Sequence, residues 1–275
     1  MKVDDALLIS QLCAARAGLK IDPDKHYMME SRLAPVARRD GFASIADMLV
    51  ELRARRDEKL IWAVVEAMAF GDTAFFRDAP VFDHLRDQVL PAAMQRREGG
   101  AVRIWSAACG SGQEIYSLAM MAADPPASAP SVRIDLYGSD LNERALEKAQ
   151  SGLFTQFEVQ RGLPIRKLVE HFEKQDDMWV ISPRIRQMVR WRRINLVGDL
   201  SRLGQFDLIL CRYVLNSLVE PMQARVLQSM VGALTPGGVL MLSPGDEVAG
   251  LHSALRPADG VPGLFERDPA YSAAA

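Results

Sequence analysis

The sequence contains few of the residues that build disulfide frameworks or metal centres. Its three cysteines, Cys13, Cys109 and Cys211, lie far apart and form no Cys-x-x-Cys or Cys/His spacing. The pattern therefore predicts neither disulfides nor a zinc site. The four histidines also lie singly, and none has a second ligand type at helical spacing. We therefore expect no metal centre.

The sequence also lacks a membrane span, an export signal and a charge excess. No run approaches the roughly 18 consecutive apolar residues of a membrane helix, and the first ten residues carry two acids where a signal peptide has a basic flank. The 33 Lys and Arg against 35 Asp and Glu leave a net charge of -2, which gives no general attraction to nucleic acids. These absences predict a cytoplasmic protein with no nucleic-acid partner and no direct membrane insertion.

The first part of the chain has the apolar pattern of a small helical domain. At 275 residues with 49% hydrophobic residues, the length favours one large domain, or a large and a small one. Residues 4–68 carry apolar residues at helical spacing throughout, and Ser44 precedes one of these runs as a candidate N-cap. The pattern predicts an all-helical domain over residues 1–70.

After residue 70 the pattern changes to alternating strands and helices. Strands are predicted at 101–107, 132–140, 206–212 and 238–243, and helices near 113–123, 142–150 and 221–234. Strands separated by helices of this length form a mainly parallel sheet covered on both faces. Residues 71–275 are therefore predicted to fold as an α/β domain.

One stretch, about 154–194, breaks this alternation. Within it MWVIS and MVRWRRI flank SPRIRQ, which predicts a small antiparallel hairpin in an inserted β-subdomain. From Arg161 to Arg193 there are nine basic residues and four acids. This local excess fits either a solvated face or a docking surface for an acidic partner, and both interpretations remain open.

A glycine-containing turn follows the first predicted strand and opens a helix. Gly110 and Gly112 in CGSGQE allow a tight turn and close backbone approach to a ligand, although a purely structural turn would use the same residues. The third glycine of a dinucleotide fingerprint is replaced by Ile115, which disfavours NAD binding. Asp140 ends the next strand, where a carboxylate holds the ribose of a nucleoside cofactor or caps the following helix.

Six segments in order make the chain resemble the chemotaxis receptor methyltransferase family, CheR. They are AFFRD at 74–78, IWSAACGSGQEIYSLAM at 104–120, the segment 138–165, INLVGDL at 194–200, FDLILCRYVL at 206–215 and LTPGGVLML at 234–242. The resemblance implies a Rossmann-like S-adenosylmethionine-dependent methyltransferase domain, a small N-terminal all-helical domain and an inserted antiparallel β-subdomain. It also implies methyl transfer to glutamate side chains of chemoreceptors, which gives glutamyl methyl esters and S-adenosylhomocysteine.

The resemblance also implies a set of site residues. Arg77 would orient the incoming carboxylate as the catalytic residue, Glu114 would lie near the methionyl ammonium, and Asp140 would hold the ribose. Asn195 and Leu196 would flank the adenine, unless Asn195 is only a turn residue. A glutamate carboxylate has a usual pKa of about 4.3 and is ionised at neutral pH, so no general base is required. The expected cofactor-binding set is Thr73, Arg77, Ala107, Gly110, Gly112, Glu114, Asp140, Asn195, Leu196, Arg212 and Tyr213.

Three positions depart from the family's usual pattern. Gly71 and Tyr213 stand where the family commonly has asparagine, and Ser217 stands where it has a tyrosine thought to lie beside the transferring methyl. These changes leave three hypotheses open: an active methyltransferase, a weakly active or inactive cofactor-binding sensor or interaction protein, and an enzyme redirected to another substrate. Restoring the pattern with Ser217→Tyr, Asn216→Ile and Tyr213→Asn should raise turnover if these residues are the defect.

The expected partner is the cytoplasmic helical signalling domain of chemoreceptors, because the family's front domain docks there. A basic helical face would be attracted to an acidic coiled coil, and charge reversal at Arg53 and Arg56 should weaken receptor binding more than cofactor binding. The inserted hairpin would bind a receptor tail peptide if it accepts an added strand, and the protein is expected to be a monomer. The basic residues in question are Arg32, Arg38, Arg39, Arg53, Arg55 and Arg56.

Overall fold

A computed structural model describes residues 1–55, 57–69, 71–124, 132–246, 252–258 and 260–271. Arg56, one of the arginines of the predicted docking face, lies outside the described residues. The chain divides into two compact units: residues 1–70 together with 214–223, and residues 71–213 together with 224–275. The first unit therefore contains a segment from late in the sequence, which the predicted boundaries did not include.

The first unit is built from four helices with apolar faces turned inward. Ile9, Leu33 and Val64, from three different helices, are fully buried. The predicted cap is present, because the Asp47 backbone N–H donates to Ser44 Oγ at 3.1 Å. The helices are α1 (Val3–Ala17), α2 (His26–Arg39), α3 (Ile45–Arg55) and α4 (Glu58–Met68).

Residues 214–223 complete this unit through backbone hydrogen bonds to the turn after α1. The N–H of Lys20 donates to the carbonyl of Ser217 at 2.7 Å, and the N–H of Val219 donates to the carbonyl of Gly18 at 2.8 Å. These bonds flank an isolated antiparallel bridge between Leu19 and Leu218. The helical unit is therefore discontinuous in the sequence.

The second unit has a seven-stranded sheet in the order β6-β2-β1-β7-β8-β10-β9. Strands β6, β2, β1, β7 and β8 run parallel, and β10 and β9 add an antiparallel edge. This confirms the predicted mainly parallel α/β fold. The main-sheet strands are β1 (Ala101–Ala107), β2 (Arg133–Asp140), β6 (Val189–Arg193), β7 (Phe206–Leu210), β8 (Leu234–Met241), β9 (Leu255–Pro257) and β10 (Leu264–Arg267).

The helices of this unit lie close to where the apolar spacing predicts them. Before β1, α5 (Ala79–His84) continues through a π-helical turn, Leu85–Val89, into α6 (Leu90–Arg96). The helices after β1 are α7 (Gln113–Ala123), α8 (Glu143–Ser151), α9 (Gln156–Gln160), α10 (Ile165–His171) and α11 (Pro183–Arg186), with a 3-10 turn at Ser201–Leu203. A 3-10 turn at Leu215–Ser217 lies in the segment of the first unit, and α12 (Glu220–Ala233) begins in that segment and continues into the second unit. None of the helices within the described ranges is long and apolar enough to cross a membrane.

The inserted subdomain is a three-stranded antiparallel sheet rather than the predicted hairpin. Its strands are β3 (Leu153–Thr155), β5 (Met178–Ile181) and β4 (Phe172–Gln175), in that spatial order. The second arm of the predicted hairpin is instead β6, which pairs in parallel with β2 in the main sheet. The predicted antiparallel β-subdomain is therefore confirmed, but the predicted hairpin was wrong, because SPRIRQ forms the short helix α11 and not a turn, so the chain crosses to the main sheet.

Candidate functional site

The glycine-containing turn lies between β1 and α7, at the carboxyl edge of the parallel strands. It is tied to the neighbouring strand, because the N–H of Cys109 donates to the carbonyl of Ser139 at 2.9 Å. Three residues of the turn have positive φ: Ala108 at 51°, Gly110 at 57° and Gly112 at 88°. Two of these positions are glycines, which adopt such angles without steric cost.

Gly112 is required by packing as well as by its backbone angle. A Cβ atom at this position would lie 2.7 Å from the indole of Trp191, and one at Gly138 would lie 2.5 Å from the same ring. Trp191 lies on β6 and packs edge-to-face on Tyr116, with ring centres 5.4 Å apart. The indole thus explains both glycines, and Gly112 serves the protein's own packing.

Asp140 joins the tip of β2 to the glycine turn. Its Oδ2 accepts from the N–H of Gly110 at 2.8 Å, and its Oδ1 accepts from the N–H of Asn142 at 2.8 Å. Burial raises the pKa of Asp140, while the backbone donors oppose that shift. A carboxylate has about four lone-pair sites, so each oxygen retains capacity for a ligand hydroxyl. The helix cap itself is Asn142, whose Oδ1 accepts from the N–H groups of the first turn of α8.

The segment before α5 is anchored against the glycine turn and the inserted subdomain. The N–H of Phe76 donates to Ser117 Oγ on α7 at 2.9 Å, and Phe75 is fully buried among aromatic rings of the insert. Thr73 Oγ1 is buried without a hydrogen-bond partner, and its methyl group would lie 3.2 Å from a Cβ atom at Gly110. An unsatisfied buried hydroxyl beside the turn is what a polar ligand would complete.

Arg212, after β7, is the centre of an ionic network. Its side chain is fully buried, its Nη1 donates to Glu114 Oε1 and to the carbonyl of Arg77, and its Nη2 donates to Asp78 Oδ2. Its Nε is buried and has no partner. Burial raises the pKa of Glu114, and the Arg212 guanidinium opposes this shift. In this network the positive charges of Arg77 and Arg212 offset the negative charges of Glu114 and Asp78.

Arg77 and Tyr213 stack at the outer side of this network. The Cζ atom of Arg77 lies 3.4 Å above the centre of the Tyr213 ring, and the Tyr213 hydroxyl donates to Asp78 Oδ2 at 2.8 Å. Burial, and then the bond to Asp78, raise the pKa of Tyr213. The phenol therefore remains a protonated donor at neutral pH.

Asn195 and Leu196 follow β6, at the same edge of the sheet. Asn195 Oδ1 accepts from the N–H of Val197 at 3.3 Å, and its carbonyl accepts from the N–H of Gly198 at 3.0 Å. The Asn195 side chain thus stabilises its own turn, as expected if Asn195 is only a turn residue. Leu196 is buried, and so is Ala107 at the end of β1.

Most of the expected site residues thus lie in one continuous set of contacts within the second unit. Ser217 does not: it belongs to the first unit, and its hydroxyl donates to the carbonyl of Val214 at 2.6 Å. Sequence reasoning missed Asp78 and Trp191. Asp78 directly follows Arg77 in the sequence, and this adjacency is the signal that could have identified it. For Trp191 no local signal existed, because its contacts are distant in the sequence.

Many basic side chains of the predicted docking surfaces are paired within the protein. Arg161 forms a bidentate pair with Asp72, at 2.7 and 2.8 Å. Arg53 pairs with Asp5 at 2.6 Å. In contrast, Arg38 is exposed and has no ion pair within the described ranges.

A cluster of metal-ligand residue types occurs away from the sheet edge. Oxygen or nitrogen atoms of Asp124, Glu170 and His171 lie within 4.8 Å of one another. However, Lys167 Nζ lies 2.7 Å from Asp124 Oδ2, and Arg184 Nη2 lies 3.6 Å from Asp124 Oδ1. The cations already balance the carboxylates, so we interpret the cluster as an ion-pair network.

Comparisons with known proteins match both units of the chain. Residues 71–260 match the family described as CheR methyltransferase, SAM binding domain, and residues 4–69 match CheR methyltransferase, all-alpha domain. The chain is 32% identical to a chemotaxis protein methyltransferase of Vibrio parahaemolyticus, covering 93% of this chain and 94% of the relative. It is 31% identical to chemotaxis protein methyltransferase 1 of Pseudomonas aeruginosa, with 91% and 92% covered. It is 32% identical to the Escherichia coli K12 chemotaxis protein methyltransferase, with 84% and 80% covered.

Proposed function

The chain belongs to the CheR methyltransferase family, and we propose that it methylates glutamate side chains of chemoreceptors at the site around Asp140 and Arg77. The products are glutamyl methyl esters and S-adenosylhomocysteine. The observation that carries the proposed site is the Asp140 carboxylate bonded to the N–H of Gly110 at 2.8 Å, because it joins the glycine turn to the strand tip where a nucleoside is held in α/β sheets.

The residues at this edge fit S-adenosylmethionine. Asp140 has lone pairs for the ribose hydroxyls, the unpartnered Thr73 Oγ1 offers a polar contact, and Glu114 Oε2, which has no partner among the described residues, suits an ammonium group. Ala107, Gly110, Gly112, Asn195, Leu196, Arg212 and Tyr213 complete the proposed cofactor-binding set. The bound cofactor supplies an electrophilic methyl group on a sulfonium.

Arg77 is the proposed contact for the substrate carboxylate. One of its nitrogens, Nη1, donates to the carbonyl of Asp72 at 2.6 Å, and its other donors have no hydrogen-bond partner within the described ranges. A guanidinium binds a carboxylate through two parallel N–H donors. Because the substrate is already ionised, Arg77 has to orient it rather than remove a proton, and orientation can lower the barrier by about 7–11 kcal/mol.

The sensor hypothesis is not favoured, since the relatives that cover most of the chain are named as methyltransferases. We also propose that the helical unit docks on the cytoplasmic signalling domain of a receptor and that the enzyme acts as a cytoplasmic monomer. The proposed location follows from the proposed partner, which is a cytoplasmic domain.

Incubation of the protein with radiolabelled S-adenosylmethionine and receptor-containing membranes tests the function. Base-labile label in the receptor band is the expected result, because carboxyl methyl esters hydrolyse in base. The control is the Arg77→Ala variant, which should bind receptor membranes and lose most incorporation. Cofactor binding by calorimetry without any label transfer from the wild-type protein would contradict the proposal.

A further inference from the structure

The Arg77 guanidinium makes two contacts: one face stacks on an aromatic ring, and one nitrogen donates a hydrogen bond. Its Cζ lies 3.4 Å from the centre of the Tyr213 ring, and Nη1 donates to the carbonyl of Asp72. A guanidinium has five N–H donors in a planar fork, so most of the fork is available to a carboxylate. The face of the ring fixes the plane in which those donors lie.

The Tyr213 ring is itself fixed at both ends. Its hydroxyl donates to Asp78 Oδ2 at 2.8 Å, and its backbone N–H donates to Ser243 Oγ. Asp78 is held in turn, because the same Oδ2 accepts from the fully buried Arg212 side chain. Tyr213 as a whole is 43% exposed, so these bonds, rather than burial in a core, define the position of its ring.

Arg212 is not available for the same task as Arg77. Both of its terminal nitrogens are committed to Glu114, Asp78 and the Arg77 carbonyl. It therefore holds the backbone and carboxylate beneath Arg77. The unpartnered Nε of Arg212 is buried, so of these two arginines Arg77 is the one with a terminal nitrogen free for a substrate.

The backbone around this stack is held in unfavourable angles. The φ of Tyr213 is 59° and that of Asp78 is 60°, with Phe76 at 46°. Positive φ is uncommon for residues other than glycine. Such strain persists where the surrounding structure fixes the conformation, and it clusters at active sites. The strained positions here include both partners of the Tyr213–Asp78 hydrogen bond.

We propose that Tyr213 is a positioning residue for Arg77: its ring fixes the plane of the guanidinium, and its hydroxyl, bound to Asp78, fixes the ring. This inference rests on the proposed function, in which Arg77 receives the substrate carboxylate. It conflicts with one part of the sequence-based expectation that three changes together raise turnover, because replacing Tyr213 by Asn should then impair turnover.

Methylation kinetics of three variants test the inference. Tyr213→Leu removes the ring and should lower kcat/KM for the receptor roughly 5- to 30-fold, the range of a partly desolvated cation–π contact. Tyr213→Phe keeps the ring and loses only the hydroxyl, so the loss should be partly rescued, to about 2- to 5-fold. Tyr213→Asn should be as poor as Tyr213→Leu.

Two controls separate positioning from other roles. In an Arg77→Ala background, Tyr213→Leu should cause no further loss, since residues that act through one another are not additive. Tyr137→Leu is the matched control, because Tyr137 also lies beneath an arginine, Arg103, at 5.1 Å, but on β2. The calorimetric affinity for S-adenosylmethionine should fall by a smaller factor than kcat/KM in Tyr213→Leu. Additive losses, a gain with Tyr213→Asn, or a weakened cofactor affinity that explains the whole effect would overturn the inference.

A second measurement does not depend on activity. Phenylglyoxal modifies accessible arginines, and peptide mass mapping gives the rate at Arg77. Removing the ring in Tyr213→Leu should raise that rate, with Tyr213→Phe close to wild type. If wild-type protein incorporates no label, the proposed function fails while this rate still decides the stacking; an equal rate in all three proteins would refute the positioning role.

Discussion

Asp140 illustrates how a single carboxylate links backbone geometry to ligand binding. Its two hydrogen bonds to the N–H groups of Gly110 and Asn142 fix its orientation, so little rearrangement is needed when it accepts hydroxyl groups. Bonds to a charged acceptor contribute about 1.5–3 kcal/mol each. In the proposed site, Asp140 would therefore contribute more to cofactor affinity than its charge alone.

We predict that Asp140→Asn weakens S-adenosylmethionine binding about ten- to hundredfold, because hydrogen bonds to a charged acceptor are replaced by weaker ones. Isothermal titration calorimetry measures the effect. Asp199→Asn is the matched control, an exposed acid in the loop after β6, and it should bind normally. An unchanged dissociation constant for Asp140→Asn would place the nucleoside elsewhere.

A second prediction concerns the pH dependence of the helical unit. The hydrogen bond from Arg53 lowers the pKa of Asp5. A lowered pKa contributes stability above the usual value of about 3.9, and this contribution is lost as pH falls through the folded-state pKa. Asp5→Asn should therefore reduce stability by up to about 1 kcal/mol at pH 7, typical of a partly exposed ion pair.

Urea unfolding measured from pH 7 to pH 3 checks this sign. The difference between wild type and Asp5→Asn should shrink towards the acid end of the range. Asp4→Asn, at an exposed position one residue earlier on α1, serves as control and should change the free energy of unfolding at pH 7 by no more than about 0.5 kcal/mol. A difference that grows in acid would contradict the assignment.

At the scale of elements, the contact between β6 and the glycine turn is the least expected feature. The Trp191 ring covers the positions where Gly112 and Gly138 lack side chains. This contact packs the edge strand of the sheet against the turn that precedes α7. The conformation of the glycine turn therefore depends on a residue about 80 positions away in the sequence.

We predict that Gly112→Ala destabilises the protein by roughly 1–3 kcal/mol, because the methyl group would overlap the indole and the φ of 88° disfavours alanine. Thermal unfolding measures the loss. Gly232→Ala is the control: this glycine lies exposed in α12 with nothing near its Cβ position, and alanine there should stabilise by about 0.5–1 kcal/mol. Equal effects of the two substitutions would contradict this account.

The elements that depend on interactions between residues near in sequence were predicted correctly, and the strand pairing that depends on distant residues was not. The strand 101–107, the helix 113–123 and the Ser44 cap depend on local periodicity and local hydrogen bonds, and the sequence pattern predicted them. The pairing of β6 with β2 instead of β5 depends on partners far apart in the chain. An alternating segment indicates a strand but does not specify its neighbour.

The same distinction applies to the site. Gly110 and Asp140 are identified from the sequence because a turn and a strand end are visible locally, and the fold brings them into contact. The stack of Arg77 on Tyr213 was not foreseen, since these residues are 136 positions apart and the expected roles were separate. From the sequence, Tyr213 was a departure from the family pattern; in the structure it contacts the proposed catalytic residue.

At the scale of the whole molecule, internal ion pairs reduce the number of basic side chains that are available to bind an acidic partner. Arg53, one of the two arginines whose charge reversal is predicted to weaken receptor binding, forms an ion pair with Asp5. Reversing its charge would also create repulsion inside the helical unit, so a loss of receptor binding would be ambiguous. The exposed Arg38 on α2 offers a cleaner test.

We predict that Arg38→Glu weakens association with receptor-containing membranes several-fold at low salt, since reversing a charge in a steering field changes encounter with an acidic partner. Cosedimentation measures this, and the difference should fade in high salt. Arg96→Glu, an exposed arginine of the second unit, is the control, and cofactor affinity should be unaffected in both. Equal binding by both variants would exclude α2 from the docking surface.

The late segment that completes the helical unit has a consequence for biosynthesis. The hydrogen bonds from Lys20 and Val219 that join the turn after α1 to residues 217–219 cannot form until that segment has been translated. The helical unit therefore lacks these hydrogen bonds while most strands of the sheet emerge from the ribosome. A nascent chain stalled shortly after residue 70 would expose this unfinished surface to chaperones and proteases.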